Sequence, residues 1–221
     1  MTLKLTKVDD LIRHEHAWVG PEDKCFFLRE YTARAGYAHG ETNDIISNLK
    51  KKMDRRGKPE WRWKEWAIDR VGRELRGVIG DKAMRTVTIV PMPPSKCKTD
   101  PEYDDRVLQI ARIMTAGLSC DVRELVLQRE SMPAAHECEE GQRPKPADYF
   151  ANFYVDEDVA TPVPTRILVV DDVLTAGAHF AGIKRRLLER FPEVILFGCF
   201  FARRVLPKAE DDFRGFVPDQ N

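Results

Sequence analysis

The stretch Arg166–Ile183, RILVVDDVLTAGAHFAGI, constrains this chain more than any other. Its apolar run Ile167–Val170 ends in two acids, Asp171 and Asp172. Two apolar residues follow, then the small-residue turn Thr175-Ala176-Gly177-Ala178-His179, and then a helix-period pattern. This reads as a buried strand that carries a carboxylate pair to its C-terminal end, followed by a loop that opens a helix. Such a loop lets an anion approach backbone N–H groups, and the helix dipole favours negative charge there. Carboxylates that accept from sugar hydroxyls, next to a nest for phosphate, predict a sugar-phosphate site. The competing reading is a generic strand–loop–helix in which the acids cap the helix, but one cap needs one acid.

Around that centre, strands and helices alternate. Thr86–Val90 is a β-branched strand that opens into Pro91–Lys98, a stiff loop with a hydroxyl and two cations. A helix begins near Tyr103-Asp104-Asp105, with apolar positions at Val107, Ile110, Ala111, Met114 and Leu118. Val122–Leu127 reads as one strand and Tyr149–Val155 as an extended segment, with a long polar, Pro-containing loop from Gln128 to Asp148 between them. Phe180, Ile183, Leu187, Leu188 and Phe191 mark the helix after the central loop, and Glu193–Ala202 a last apolar strand. The expected fold class is α/β, a mostly parallel twisted sheet with helices on both faces. The expected organisation is an N-terminal extension over 1–80, a core over 81–205 and a loose tail over 206–221.

Within the extension, Cys25–Leu28 with Tyr31 reads as a short strand. A helix capped by Thr42 or Asn43 follows and ends by Gly57-Lys58-Pro59. Lys50, Lys51, Lys52, Arg55 and Arg56 crowd its end, ahead of Trp61, Trp63 and Trp66, which are interleaved with Arg62 and Lys64. Basic residues interleaved with aromatics can hold single-stranded nucleic acid by phosphate contact and base stacking. The plainer alternative is a solvated helix end followed by a helix over Glu60–Val78 that buries one or two tryptophans, with Ala67, Val71, Leu75 and Val78 on one face.

Other function classes find little support. Basic and acidic residues balance at 36 each, so no global field draws polyanions or anionic membranes. The five cysteines lack a C-x-x-C pair, so neither a disulfide framework nor a zinc ribbon is expected. His14-Glu15-His16 lacks a third ligand and reads as a solvated segment; His136-Glu137-Cys138 reads as plain loop. No run suits a bilayer span or signal peptide, so a cytoplasmic setting without a membrane partner is expected. An oligomer is compatible with the sequence but not specified by it.

The motif VVDDVLTAGAH resembles the phosphoribosyl-pyrophosphate (PRPP) motif of type I phosphoribosyltransferases: apolar strand, two acids, two apolar residues, then a T-T-G-x-T-like loop. The likeness is nearest to the ComF-like (competence-protein) branch. Asn48-Leu49-Lys50 stands for its N-terminal Leu-Lys, Val90-Pro91-Met92-Pro93 for its V-P-x-P loop, and Ala151–Val155 loosely for its N-x-x-F-x-V strand. The resemblance implies a transferase moving the phosphoribosyl group of PRPP to a nitrogenous acceptor, with pyrophosphate released. It implies that Asp171 and Asp172 hold the ribose hydroxyls and that Thr175, Ala176, Gly177, Ala178 and His179 surround the 5′-phosphate. Pro94, Ser95 and Lys96 would then meet the pyrophosphate. Mg²⁺ would be bound through PRPP and water, with no dedicated protein metal site. No residue is singled out as a catalytic acid or base. Ala176 and His179 replace hydroxyl residues of the family loop, and Tyr103-Asp104-Asp105 replaces its R-G-F-N-Q helix start. These departures motivate the alternative of a non-catalytic PRPP- or nucleotide-sensing module, linked by analogy to DNA uptake.

Overall fold

A computed structural model of the chain describes residues 3–133 and 142–206. The fold is α/β, with a six-stranded mixed sheet flanked by helices. The elements run β1 (Thr6–Lys7), β2 (Lys24–Thr32), α1 (Glu41–Leu49), α2 (Trp61–Ile79), α3 (Asp81–Met84), β3 (Thr88–Pro91), α4 (Arg106–Met114), β4 (Asp121–Val122), β5 (Val126–Gln128), α5 (Pro146–Asn152), β6 (Phe153–Val155), β7 (Arg166–Leu174), α6 (Ala178–Arg190) and β8 (Ile195–Val205). In the main sheet the order is β1-β2-β8-β7-β3-β4, and only the β1–β2 pair is antiparallel. The sheet spans the boundary near residue 80, since β2 lies between β1 and β8 with Cys25 opposite Gly198.

That order locates the ligand end of the sheet. From β3 the chain crosses through α4 outward to β4; from the adjacent β7 it crosses through α6 the opposite way to β8. Right-handed crossovers in opposite directions place α4 and α6 on opposite faces. The C-terminal ends of β3 and β7 therefore flank a switch point, where open α/β sheets form their ligand crevice. Asp171-Asp172 and the Pro93–Lys96 loop both emerge there, in register through the Pro91–Val170 pair.

The core follows the sequence pattern. Ile89, Val90, Ile167, Val169 and Val170 are buried on the central strands, and Ile110, Ala111 and Met114 line the inner face of α4. Phe180, Ile183 and Leu187 do the same for α6.

Several expected elements are corrected. Tyr149–Val155 is not one extended piece: its first half belongs to α5, and only Phe153–Val155 is a strand. Pro146 opens α5, and the Asp148 carboxylate accepts from the Lys145 N–H at 2.7 Å, which offsets an orphan donor of the first turn. Tyr149 and Phe153 then fall one helical turn apart and stack at 5.8 Å. Val122–Leu127 is likewise two strands in two sheets, because β4 edges the main sheet while β5 pairs with β6. Arg123 stands at the break, donating to Asp121 and to the carbonyls of Val159 and Pro162. The first helix begins at Glu41, and Asn43 does not cap it; its amide instead holds Thr32 and Gly36. That helix ends at Leu49, before the expected Gly57. No described helix is long and apolar enough to cross a membrane.

Candidate functional site

Strand β7 delivers the acid pair, and alternation along the strand separates their surroundings. Asp172 is buried at 5% exposure, whereas Asp171 is only partly covered. The Asp171 carboxylate accepts from the Asp172 N–H at 2.8 Å. Arg106, at the start of α4, clamps Asp172 through Nε at 2.9 Å and Nη2 at 2.8 Å. Burial would raise the Asp172 carboxyl, but the Arg106 guanidinium and then Lys50 hold it below the usual carboxylate range. Asp171 lacks that clamp, so burial and then the Asp172 charge push it up to about 8. At neutral pH the pair therefore holds roughly one proton and one negative charge.

Behind Arg106 lies a charge network that the sequence did not announce. Arg106 Nη1 also donates to Asp104 at 2.7 Å, and Asp104 accepts from Lys64 at 2.7 Å. Lys64 is 1% exposed and further donates to the carbonyls of Leu49 and Lys51, at 2.6 and 2.9 Å. Burial lowers the Lys64 ammonium, with Asp104 acting against that shift. The network ties the end of α1, and with it Lys50, to the acid pair. It also disposes of the acids at the α4 start: Asp104 is neutralised by two cations, and Asp105 accepts from Gln109 at 2.6 Å.

Two loops flank the acids, and both use their carbonyls in the same way. In the Thr175–Gly177 turn, the Thr175 carbonyl accepts from His16 Nδ1 at 2.5 Å and the Ala176 carbonyl from the Trp18 N–H at 2.9 Å. In the loop after β3, the Pro94 carbonyl accepts from Gln128 and the Ser95 carbonyl from the Met132 N–H at 2.7 Å. In a trans peptide the C=O and N–H point in opposite directions. The N–H groups of Ala176, Gly177, Ser95 and Lys96 thus face away from those partners, and none donates to a group among the described residues. Each loop offers two consecutive backbone donors, as an anion-binding nest does. Gly177 makes its turn at φ +86°, where an added Cβ would also lie 2.8 Å from Val19. Lys96 stands 3.8 Å from Glu102, while Lys98 pairs with Glu124 at 3.1 Å.

Of the residues expected around a phosphate, Thr175 is exposed and Ala176 and Ala178 are partly covered. His179 lies against Tyr149 and Phe153, at ring distances of 4.5 and 5.5 Å, and its buried Nε2 has no partner among the described residues. Burial lowers this imidazole to about 4, so it is neutral at pH 7.

His16 corrects the reading of His14–His16 as a solvated segment: His14 is exposed, but His16 is fully buried against the turn. The Lys50–Lys64 stretch is also rearranged. Lys64 faces inward, while Trp63 and Trp66 are 45% and 37% exposed and meet edge to face at 6.4 Å. The helix buries Ala67, Val71 and Leu75 of the expected face, together with Ile68, but none of the expected tryptophans, Trp61 being only partly covered. His136-Glu137-Cys138 and most of the tail lie outside the described residues.

Arg106, Asp104, Lys64 and His16 are the site-shaping residues that sequence reasoning passed over or placed elsewhere. Among the described residues, no group of three or more His, Cys, Asp and Glu side chains could hold a metal ion. No protein-family model matches the chain, and no curated protein matches it significantly.

Proposed function

We propose that this chain is a PRPP-binding protein of the type I phosphoribosyltransferase kind, transferring the phosphoribosyl group to a nitrogenous acceptor with release of pyrophosphate. One observation carries the reading. An acid pair near the C-terminal end of β7 lies between two loops that each present two backbone N–H groups with no partner among the described residues. A sugar bearing phosphate groups at both ends matches that spacing of chemistry, with hydroxyls on the carboxylates and an anion on either side. The type I phosphoribosyltransferase fold is part of the proposal and accords with the mostly parallel sheet.

In this reading Asp171, the less covered acid, accepts from a ribose hydroxyl once ionised, and Asp172 is the fixed charge that Arg106 orients. The Thr175–His179 turn holds the 5′-phosphate with main-chain donors, so the loss of hydroxyl side chains at Ala176 and His179 is tolerable. Ser95 and Lys96 meet the pyrophosphate with two N–H groups and an ammonium. Departure of pyrophosphate leaves an oxocarbenium-like sugar, and the chain's contribution is to hold that sugar and favour the leaving anion. The Asp171 carboxylate suits Mg²⁺, which keeps several waters and takes one or two carboxylates plus substrate phosphate oxygens, while the backbone N–H groups meet the phosphates and not the cation. Mg²⁺ would supply charge neutralisation on the leaving group.

Titration calorimetry with PRPP and Mg²⁺ tests the proposal. Saturable binding is expected, abolished in Asp171→Asn/Asp172→Asn; no binding by the intact chain, or binding unchanged in that variant, would sink it. A second reading, a PRPP- or nucleotide-sensing module without turnover, is favoured by the Arg106 clamp, which occupies Asp172. Pyrophosphate release with any nucleobase or amine acceptor would exclude it.

A further inference from the structure

We infer that His16 is a positioning residue: its ring fixes the Thr175–Ala176 peptide plane so that the Ala176 N–H faces the anion, beside the Gly177 N–H that the Trp18 bond turns the same way. The inference rests on the functional reading above. It begins from a segment far from the motif in sequence. The chain from His16 to Val19 crosses the turn as a strap, bonding its Thr175 and Ala176 carbonyls and packing Val19 against Gly177. Because the Thr175 carbonyl can only accept, the His16 ring must carry its proton on Nδ1. With that carbonyl held, the Ala176 N–H of the same peptide unit points the other way; the Trp18 bond does the same for the Gly177 N–H.

The strap is itself anchored on both sides of the turn. Glu15 pairs with Arg203 at the end of β8 at 2.9 Å. Beyond the strap, Gly20 donates to Asp23 at 2.8 Å, and Asp23 and Glu22 take Lys184 of α6 at 2.5 and 3.0 Å. The turn is thus gripped between its own helix and the neighbouring strand. His16 is 0% exposed, and its Nε2 is buried with no partner among the described residues. A ring that makes one bond, at the cost of a second buried nitrogen left without one, is an expensive way to fill space. An apolar residue would pack there at lower cost. The bond to Thr175 is what the histidine adds.

The test separates the ring's donor from its bulk. In His16→Asn the side-chain amide can donate from near the position of Nδ1, while His16→Phe keeps the bulk and His16→Gln reaches only toward Nε2. Each variant and the wild type is titrated with ribose 5-phosphate and with PRPP plus Mg²⁺. Amide NMR follows Ala176 and Gly177, calorimetry gives affinity, and thermal unfolding serves as the fold control. The expected result is that both amides shift in the wild type and in His16→Asn, with affinity kept within about threefold. Folded His16→Phe or His16→Gln should bind about tenfold or more weakly, the scale of a misdirected hydrogen bond to a charged group. If folded variants bind like the wild type, or Gln serves as well as Asn, the positioning role is overturned and the PRPP reading stands. If neither ligand moves the wild-type amides, the PRPP reading falls and the inference falls with it. Should His16→Phe fail to fold, the comparison of Asn with Gln decides.

Discussion

Replacing Arg106 with methionine gives the sharpest test of how the acid pair is held. The guanidinium makes two hydrogen bonds to the buried Asp172 and one to Asp104. Methionine keeps much of the stem's packing and removes the charge. Asp104 retains Lys64, so its loss is small. Asp172 loses its charged clamp while sitting beside another carboxylate. Breaking one side of a buried ion pair costs about 3–5 kcal/mol. The alternative, protonating Asp172 at pH 7 when it ordinarily titrates near 3.8, costs about 4 kcal/mol. The two routes converge, and a loss of about 3–4 kcal/mol is expected in urea unfolding at pH 7. Removing the stranded charge as well, in Arg106→Met/Asp172→Asn, should recover more than half of it. The pH dependence adds a sign. In the wild type the Asp172 carboxyl is depressed, so its contribution is present above its ordinary 3.8 and is lost as pH falls through the folded value. In Arg106→Met the carboxyl is raised, so stability is lost as pH rises, and the gap to the wild type narrows on acidification from pH 7 to 5. A loss below about 1 kcal/mol, or no recovery in the double variant, would refute the clamp.

Two further outcomes follow from the site's surroundings. The His179 imidazole, lowered from 6.5 to about 4 by burial, stays neutral in the native state while the unfolded chain takes up a proton. Stability should therefore fall between pH 6.5 and 4, by up to about 3 kcal/mol, and His179→Phe should remove that component in denaturation curves across the range. An alanine at Gly182 would place its Cβ 2.4 Å from Tyr149 Cβ and 3.3 Å from the Phe150 N. Gly182→Ala should cost about 1–3 kcal/mol and lower the thermal midpoint by several degrees, despite alanine's higher helix propensity; a raised midpoint would count against close α5–α6 packing.

The centre of the fold was legible because its signals are local. An apolar run ending in Asp171-Asp172, a small-residue turn and a period of 3.6 specify strand, loop and helix without help from elsewhere. The same holds for α2, whose buried Ala67, Val71 and Leu75 were marked by spacing. What failed was ambiguous or long-range. Tyr149 and Phe153 suit a strand by composition, and only Pro146 with Asp148 two residues on signals a helix start. The break at Arg123 depends on carbonyls more than thirty residues away. Lys64 looked like part of a cationic surface because nothing nearby in sequence shows that Asp104 and the end of α1 wait for it. His16 and Arg106 were missed for the same reason: their partners, Thr175 and Asp172, belong to the motif, but the pairing is made only by the fold.

The position of β2 has a consequence for how this protein is made. Cys25 pairs with Gly198, so β2 leaves the ribosome long before β8, its parallel partner. At ordinary synthesis rates that interval is roughly 10–35 s. Throughout it, the nascent chain carries a nine-residue strand that includes Cys25, Phe27 and Leu28, all buried in the finished sheet. Loop closure over most of the chain must precede its burial. Strand β2 is thus among the first elements to be made and among the last to find its place, and it stays open to wrong pairings until β8 arrives.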